Sequence, residues 1–377
     1  MKFNTLVLTA LALTIAITGC EDPSQPDMDN ATRNQKKVAL GEQLFTAKSL
    51  SQGKNMSCAT CHDLDHAMID HRTSAKSTSV SSDSNKVGDR NAPTAAYAMF
   101  SPRFHFDSGE GLYIGGQFLD GREPDLQGQA KGPFLNPAEM QMTDEAAVIT
   151  EVESNITMNS QLKEIYGDDI FNNTIKAYNA VADSIALFEM SPVFAPFDSK
   201  YDNYLAGKAS LTDLEQEGLK LFDGKALCSA CHPATTDDGS HPLFTDYSYD
   251  NIGVPYNSDL NETRHMHGQT LPIDNGLGKT VSDSSLNGAF KVSTLRNIAV
   301  TGPYMHNGLF KDLKTVVHFY NTRDVKGAKN PETNTIWEPS EVPQTVNHVE
   351  LGDLGLSDHE EDAIVAFLET LTDKKFK

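Results

Sequence analysis

Two copies of one motif constrain this chain more than any other feature: Cys58-Ala59-Thr60-Cys61-His62 and Cys228-Ser229-Ala230-Cys231-His232. C-x-x-C-H is the attachment signature of a c-type haem. The two thiols add to the porphyrin vinyl groups, and the adjacent histidine reaches the iron as an axial ligand. A zinc half-site or a redox dithiol would account for one C-x-x-C. Neither accounts for two copies that each carry the histidine. Two covalently held haems imply that part of each core is porphyrin rather than side chain. The 377 residues are enough for two domains of ordinary size.

The amino terminus reads as a targeting signal. Lys2 supplies the positive start, and Leu6 to Ile17 is apolar but short of the roughly 20 residues that span a bilayer. Ile17-Thr18-Gly19-Cys20 resembles a bacterial lipobox, which implies cleavage after residue 19 and acylation of Cys20. Acyl chains there would hold the protein at a membrane surface. An ordinary secretory signal with a stray cysteine is the plainer alternative. The five cysteines then divide into one lipid site and four thioether sites, leaving none for a disulfide. Haem c attachment takes place outside the cytoplasm, so signal and haem motifs agree. The expected location is the periplasmic side of a bacterial membrane, with the outer membrane favoured. A formal net charge of -21 argues against a nucleic-acid partner. It suits a soluble acidic surface that could also steer a basic redox partner.

Residues 20–35 are polar, contain Pro23 and Pro26, and read as a flexible tether. From Lys36 the pattern is helical, with Val38, Leu44 and Phe45 on one side. An internal repeat follows. Gly41-Glu42-Gln43-Leu44-Phe45 precedes the first haem motif, and Gly218-Leu219-Lys220-Leu221-Phe222 precedes the second. Thr212 with Glu215 predicts a capping box at the start of the second of these helices. Each half closes with an amphipathic helix: Ile175, Tyr178, Val181, Ile185 and Phe188 mark one, and Ile364, Phe367, Leu368 and Leu371 the other. Ser357 with Glu360 caps the latter. The expected fold is mainly α, with two cytochrome c-like domains over residues 36–207 and 208–377. Polar stretches at residues 74–89 and 237–286 read as long loops, uncommon unless functional.

Seven further blocks resemble the bacterial di-haem cytochrome c peroxidase and MauG family. They are Arg90-Asn91-Ala92-Pro93-Thr94, Asp120-Gly121-Arg122, Gln129-Ala130-Lys131-Gly132-Pro133, Asn136-Pro137-Ala138-Glu139-Met140, Phe290-Lys291-Val292, Leu295-Arg296-Asn297 and Thr301 to Gly308. The resemblance covers nearly all of the mature chain. It implies a peroxide-reactive first haem with proximal His62, and Glu139 and Gln129 on the distal side. A carboxylate there can take a proton from one peroxide oxygen and return it to the other. Without the family setting Glu139 would read as a surface acid.

Many members carry a removable distal histidine in the loop before the Arg-Asn block. Residues 79–89 contain none, and His66 and His71 lie too near His62 to serve. The resemblance therefore implies an open first iron that needs no reductive activation. For the second iron, with proximal His232, alignment of the Pro-Tyr-x-His block places Tyr320 at the sixth position, where MauG-type members use tyrosine. His318, Met305 and Met266 are rival ligands, and a tyrosine packed in a helix is the plainer reading. A phenolate favours ferric and higher oxidation states over ferrous. Asn91, Thr301 and Pro303 match a calcium site between the haems. One departure stands out: the residue before Asp120 is Leu119, where many members have an inter-haem tryptophan, and the single tryptophan is Trp337.

These readings converge on a di-haem c-type peroxidase that reduces hydrogen peroxide at the first haem. Electrons would come through the second haem from a small periplasmic redox protein, a cytochrome c or a cupredoxin. The alternative is a MauG-like enzyme that uses peroxide to oxidise a side chain of a partner protein. A non-enzymatic di-haem electron carrier is the third reading, against which Gln129 and Glu139 speak.

Overall fold

The computed structural model describes residues 28–73, 78–236, 238–270 and 272–377. The expected signal peptide, Cys20 and the first half of the tether lie outside these residues. The first half contains α1 (Asn30–Thr46), α2 (Cys58–Cys61), α3 (Leu126–Leu135), α4 (Glu145–Ser154), α5 (Ile156–Tyr166) and α6 (Thr174–Glu189). The second contains α7 (Lys200–Leu205), α8 (Asp213–Asp223), α9 (Ser258–Met266), α10 (Leu277–Val281), α11 (Leu313–Thr322) and α12 (Asp358–Glu369). Sheet is confined to two short antiparallel pairs: His105–Asp107 with Leu112–Ile114, and Tyr249–Asp250 with Phe290–Lys291. The mainly helical, two-domain expectation is met.

The repeat read in the sequence is a repeated helix crossing. In the first half α1 packs on α6, and in the second α8 packs on α12. Both crossings turn on a glycine. A Cβ on Gly41 would lie 2.0 Å from the Ser184 carbonyl oxygen, and one on Gly218 would lie 1.9 Å from that of Ala363. Beside each glycine an aromatic pair fills the crossing, Phe45 with Phe188 at 5.4 Å and Phe222 with Phe367 at 5.2 Å between centroids. These edge-on pairs combine large apolar burial with favourable ring geometry. Gly218→Ala is expected to lower the thermal midpoint of unfolding by roughly 5 °C or more, because overpacking outweighs the gain in helix propensity. A differential scan of the haem-loaded protein that shows an unchanged or higher midpoint would refute the close crossing.

Capping sets the helix starts. Thr212 and Ser357 form the two capping boxes expected from the sequence, with Glu215 and Glu360. The first helix begins at Asn30, six residues before the expected start at Lys36. Asp29 caps it by accepting from the Thr32 amide at 2.9 Å. None of residues 30–35 is buried, so apolar periodicity carries no sign of that opening turn and a half. Ile175 is a second correction: it is 65 % exposed, while Tyr178, Val181, Ile185 and Phe188 are buried. The stretch 237–286 is less irregular than expected, since it contains α9 and α10.

Two apolar clusters form the cores. Phe197 still packs on the first, and Tyr201 is already buried in the second. The cores therefore divide a few residues before the 207/208 boundary expected from the sequence, because α7 docks its tyrosine on Phe244 and Phe367. The two halves are tied by buried polar groups. Arg296 is 1 % exposed and is held within the second half by a two-pronged pair with Asp202 at 2.9 and 3.0 Å, which aims it at the first half. Its guanidinium also lies 4.9 Å from the Tyr97 ring centroid and 4.5 Å from that of Phe197. Tyr97 of one half and Asn297 of the other both donate to Asp373. Arg90 forks onto Asp274 at 2.6 and 2.7 Å. Such charge-assisted, geometrically fixed bonds hold one half in register with the other.

Candidate active site

Both C-x-x-C-H motifs fold as one tight helical turn. The His62 amide donates to the Cys58 carbonyl at 2.8 Å, and the His232 amide to that of Cys228 at 2.9 Å. Each histidine is then oriented through its other face. Nδ1 of His62 lies 3.2 Å from the Met68 carbonyl, and Nδ1 of His232 lies 2.7 Å from that of Phe244. Met68 and Phe244 both have left-handed backbone, with φ of 56° and 52°. The carbonyl bond fixes Nδ1 as the donor and leaves Nε2 with its lone pair for a metal. Burial lowers the pKa of both rings, which keeps them neutral and able to ligate.

The residues fit covalent haem better than a thiolate metal or a redox pair. Burial pushes the Cys61, Cys228 and Cys231 thiols up to about 12, and Cys58 also upward. A reactive dithiol or a zinc half-site requires the opposite shift. Around the second motif a largely apolar cavity is lined by Phe222, Leu295, Ile298, Met305, Val316 and Tyr320, with His232 on its wall. It is wide enough to continue past Phe290 and Lys291 to Phe118, Leu119 and Asn91 of the first half.

On the first side, α3 and the turn after it carry the expected distal residues. Asp125 caps α3, and Leu126, Ala130 and Phe134 face the core. Gln129, Pro133 and Asn136 follow one another at helical spacing along the half-buried flank beside that stripe. The Asn136 side chain donates to Glu139 Oε1 at 2.6 Å, and the Ser82 amide donates to the Glu139 carbonyl at 2.9 Å. The Glu139 charge helps raise the pKa of both Cys58 and Cys61, so Glu139 lies near the first motif. Burial raises its pKa above the ordinary carboxylate value, with the Arg122 charge and the Asn136 bond opposing. Ser82 lies on the loop of residues 78–89, which packs on Glu139 and brings no histidine.

Sequence reading assigned no role to Arg122 or Asn136, although both stand in the motif blocks quoted above. Arg122 pairs with Asp120 at 2.8 Å and stacks 3.5 Å from the Phe118 centroid. The signal was there in Asp120-Gly121-Arg122, but its direction depends on where Phe118 stands.

Of the proposed sixth ligands, two point elsewhere. His318 Nδ1 lies 2.8 Å from Glu361, on α12, and Met266 is 78 % exposed on α9. Tyr320 and Met305 both line the cavity with His232. Tyr320 is partly buried and its hydroxyl takes no hydrogen bond from a described residue; desolvation is the main cause that raises its pKa. Asn91 and Pro303 meet, with 2.5 Å between the Asn91 side-chain amide and the Pro303 carbonyl, and Thr301 lines the same cavity. Leu119 lies on that wall, its carbonyl accepting from the Lys291 amide at 2.8 Å. Trp337 does not line this cavity but packs among Phe310 and Phe319 in the second core.

Comparison with known proteins agrees with this geometry. The family described as di-haem cytochrome c peroxidase matches residues 35–210. The methylamine utilization protein MauG of Paracoccus denitrificans is 39 % identical over 98 % of this chain and 95 % of its own length. Cytochrome c551 peroxidase of Nitrosomonas europaea is 32 % identical over 80 % of this chain and 78 % of its own. Among solved structures, the diheme peroxidase BthA of Burkholderia thailandensis superposes with a TM-score of 0.80. It is 30 % identical and covers 90 % of this chain and 86 % of its own.

Proposed function

This chain belongs to the di-haem cytochrome c peroxidase family, which includes MauG, and we propose that its first haem is the peroxide-reacting one, served by Glu139 and Gln129. It is a peroxide-dependent oxidoreductase with two haems c. When bound, the haem irons supply the binding point for the peroxide oxygen and the electrons that reduce it. The chain's own residues move the protons. Glu139 in its carboxylate form would take a proton from one peroxide oxygen and deliver it to the other, which would depart as water. Gln129, on the same helix face as Asn136, orients the peroxide; Asn136 aims the Glu139 carboxylate. Arg122 offsets part of the burial cost of that carboxylate.

The observation that carries this reading is the loop of residues 78–89, which lies against Glu139 without a histidine. No described residue of that loop can close the sixth position of the first iron as an imidazole. Stopped-flow mixing of the diferric protein with peroxide tests it. Reaction without prior reduction is expected, together with a high-spin ferric EPR component. Reactivity confined to the reduced protein, or an EPR spectrum of low-spin haems alone, would overturn it.

Two outcomes share this machinery. Electrons from a small redox protein, a cytochrome c or a cupredoxin, would make the chain a peroxidase for that donor. A tyrosine on the wall of the cavity around His232 and the 39 % identity to MauG favour the other outcome, oxidation of a side chain on a partner protein. Leu119 weighs against it, since an aliphatic side chain cannot carry charge between the haems.

Asn91, Thr301 and Pro303 are proposed as calcium ligands. Turning the Asn91 amide would set two oxygens against each other unless a cation lay between them. A periplasmic location with a lipid on Cys20 follows from the lipobox; no helix of the described residues is long and apolar enough to cross a membrane.

A further inference from the structure

His66 and His71 have no part in the chemistry above, yet they are not scattered surface histidines. Both Nδ1 atoms lie 3.1 Å from the same oxygen, Asp63 Oδ2. Their rings stack with 4.0 Å between centroids and 22° between planes. The three ligand atoms all fall within 4.8 Å of one another. We propose that Asp63, His66 and His71 form a binding site for one divalent transition-metal ion, of the kind that takes imidazole and carboxylate together, Zn²⁺ or Cu²⁺.

The spacing suits such an ion. Metal bonds of about 2.0–2.1 Å to nitrogen and oxygen put neighbouring tetrahedral ligands roughly 3.3 Å apart, close to the separation found here. Imidazole with carboxylate is a ligand set for zinc and copper rather than for calcium or magnesium. Two neutral rings and one carboxylate carry a single negative charge, which a dication more than neutralises. The nearby cations are already engaged: Arg72 pairs with Asp70 at 2.7 Å and Lys375 with Asp65 at 3.3 Å. Neither is aimed at Asp63.

The ligands need little ordering on binding. All three lie on one short loop, closed by bonds from the His66 and Met68 amides to the Asp63 carbonyl at 3.0 and 2.9 Å. A third runs from the Asp63 amide to the Ile69 carbonyl at 3.1 Å. His66 and His71 side chains are 55 % and 43 % exposed, so water can fill the other coordination positions and an ion can enter freely. Asp63 follows His62 directly, and Met68 carries the carbonyl that orients His62. The site therefore stands one peptide from the first haem's proximal ligand.

The test uses tag-free protein carrying both haems, freed of loose metal with a chelator. Zinc chloride titrated by calorimetry is expected to show one saturable site. Asp63→Asn and the double change His66→Ala with His71→Ala are each expected to weaken it about 100-fold or more. One equivalent of Cu²⁺ is expected to give an EPR signal split by two nitrogens in the parent protein, and not in the double variant. The three side chains are exposed or partly so, and a pyridine haemochrome measurement confirms equal haem loading. No saturable zinc binding, equal affinity in the double variant, or a copper signal without two nitrogens would overturn the proposal. In those cases the cluster is two imidazoles sharing one carboxylate by hydrogen bonds.

Discussion

Glu139→Gln is expected to slow peroxide turnover by about 100-fold or more while leaving peroxide binding nearly intact. Glutamine keeps the size of the side chain and still offers an oxygen to the Asn136 amide, but it cannot accept and return a proton. The pH profile separates this role from a packing role. Burial raises the Glu139 pKa above the ordinary carboxylate value. The carboxylate is the working form, so the rate of peroxide cleavage should fall as pH drops through that raised pKa. The acid limb should therefore stand above the ordinary carboxylate range, and Glu139→Gln should abolish the limb along with the rate. Single-turnover measurements across pH decide it. An unchanged rate, or a slow variant that keeps the same acid limb, would remove Glu139 from proton transfer.

The second large effect concerns Tyr320. If its hydroxyl ligates the second iron as a phenolate, Tyr320→Met should raise that haem's reduction potential by roughly 0.1 V or more, since axial ligands tune haems over a wide range. Burial first, and then the charge of Asp250, raise the Tyr320 pKa. Loss of its proton therefore requires the positive charge of a bound ferric iron. With methionine at this position the second haem should accept electrons from a small cytochrome donor more readily. Tyr320→Phe should leave the position open or taken by water, with a changed ligand-field spectrum. Spectroelectrochemistry of parent and both variants reads all three. If neither potential nor spectrum moves, Met305 becomes the better ligand, because it lines the same cavity.

Several decisions in this protein belong to the sequence alone. Haem attachment is local chemistry: two cysteines and a histidine within one helical turn suffice, so Cys58 to His62 and Cys228 to His232 are legible without a fold. Capping boxes are equally local, and both expected ones form. The paired G-x-x-L-F motifs reveal a duplication. They do not by themselves explain the glycines, which are required because another helix's carbonyl lies 1.9–2.0 Å from where a Cβ would stand.

Everything that depends on which surface meets which had to wait for the tertiary structure. Ile175 fits the apolar period of α6 and yet is exposed, because neighbours cover only the stripe through Tyr178 and Val181. His318 is one residue from Phe319 and two from Tyr320 in the chain, but α12 offers it Glu361, so it turns from the haem cavity. His66 and His71 read as merely too close to His62; their convergence on Asp63 arises from a loop closed by backbone bonds. A motif specifies chemistry when its atoms are held by the covalent chain itself. Side-chain direction across the rest of the molecule is set by the packing partner, and helix crossings choose that partner.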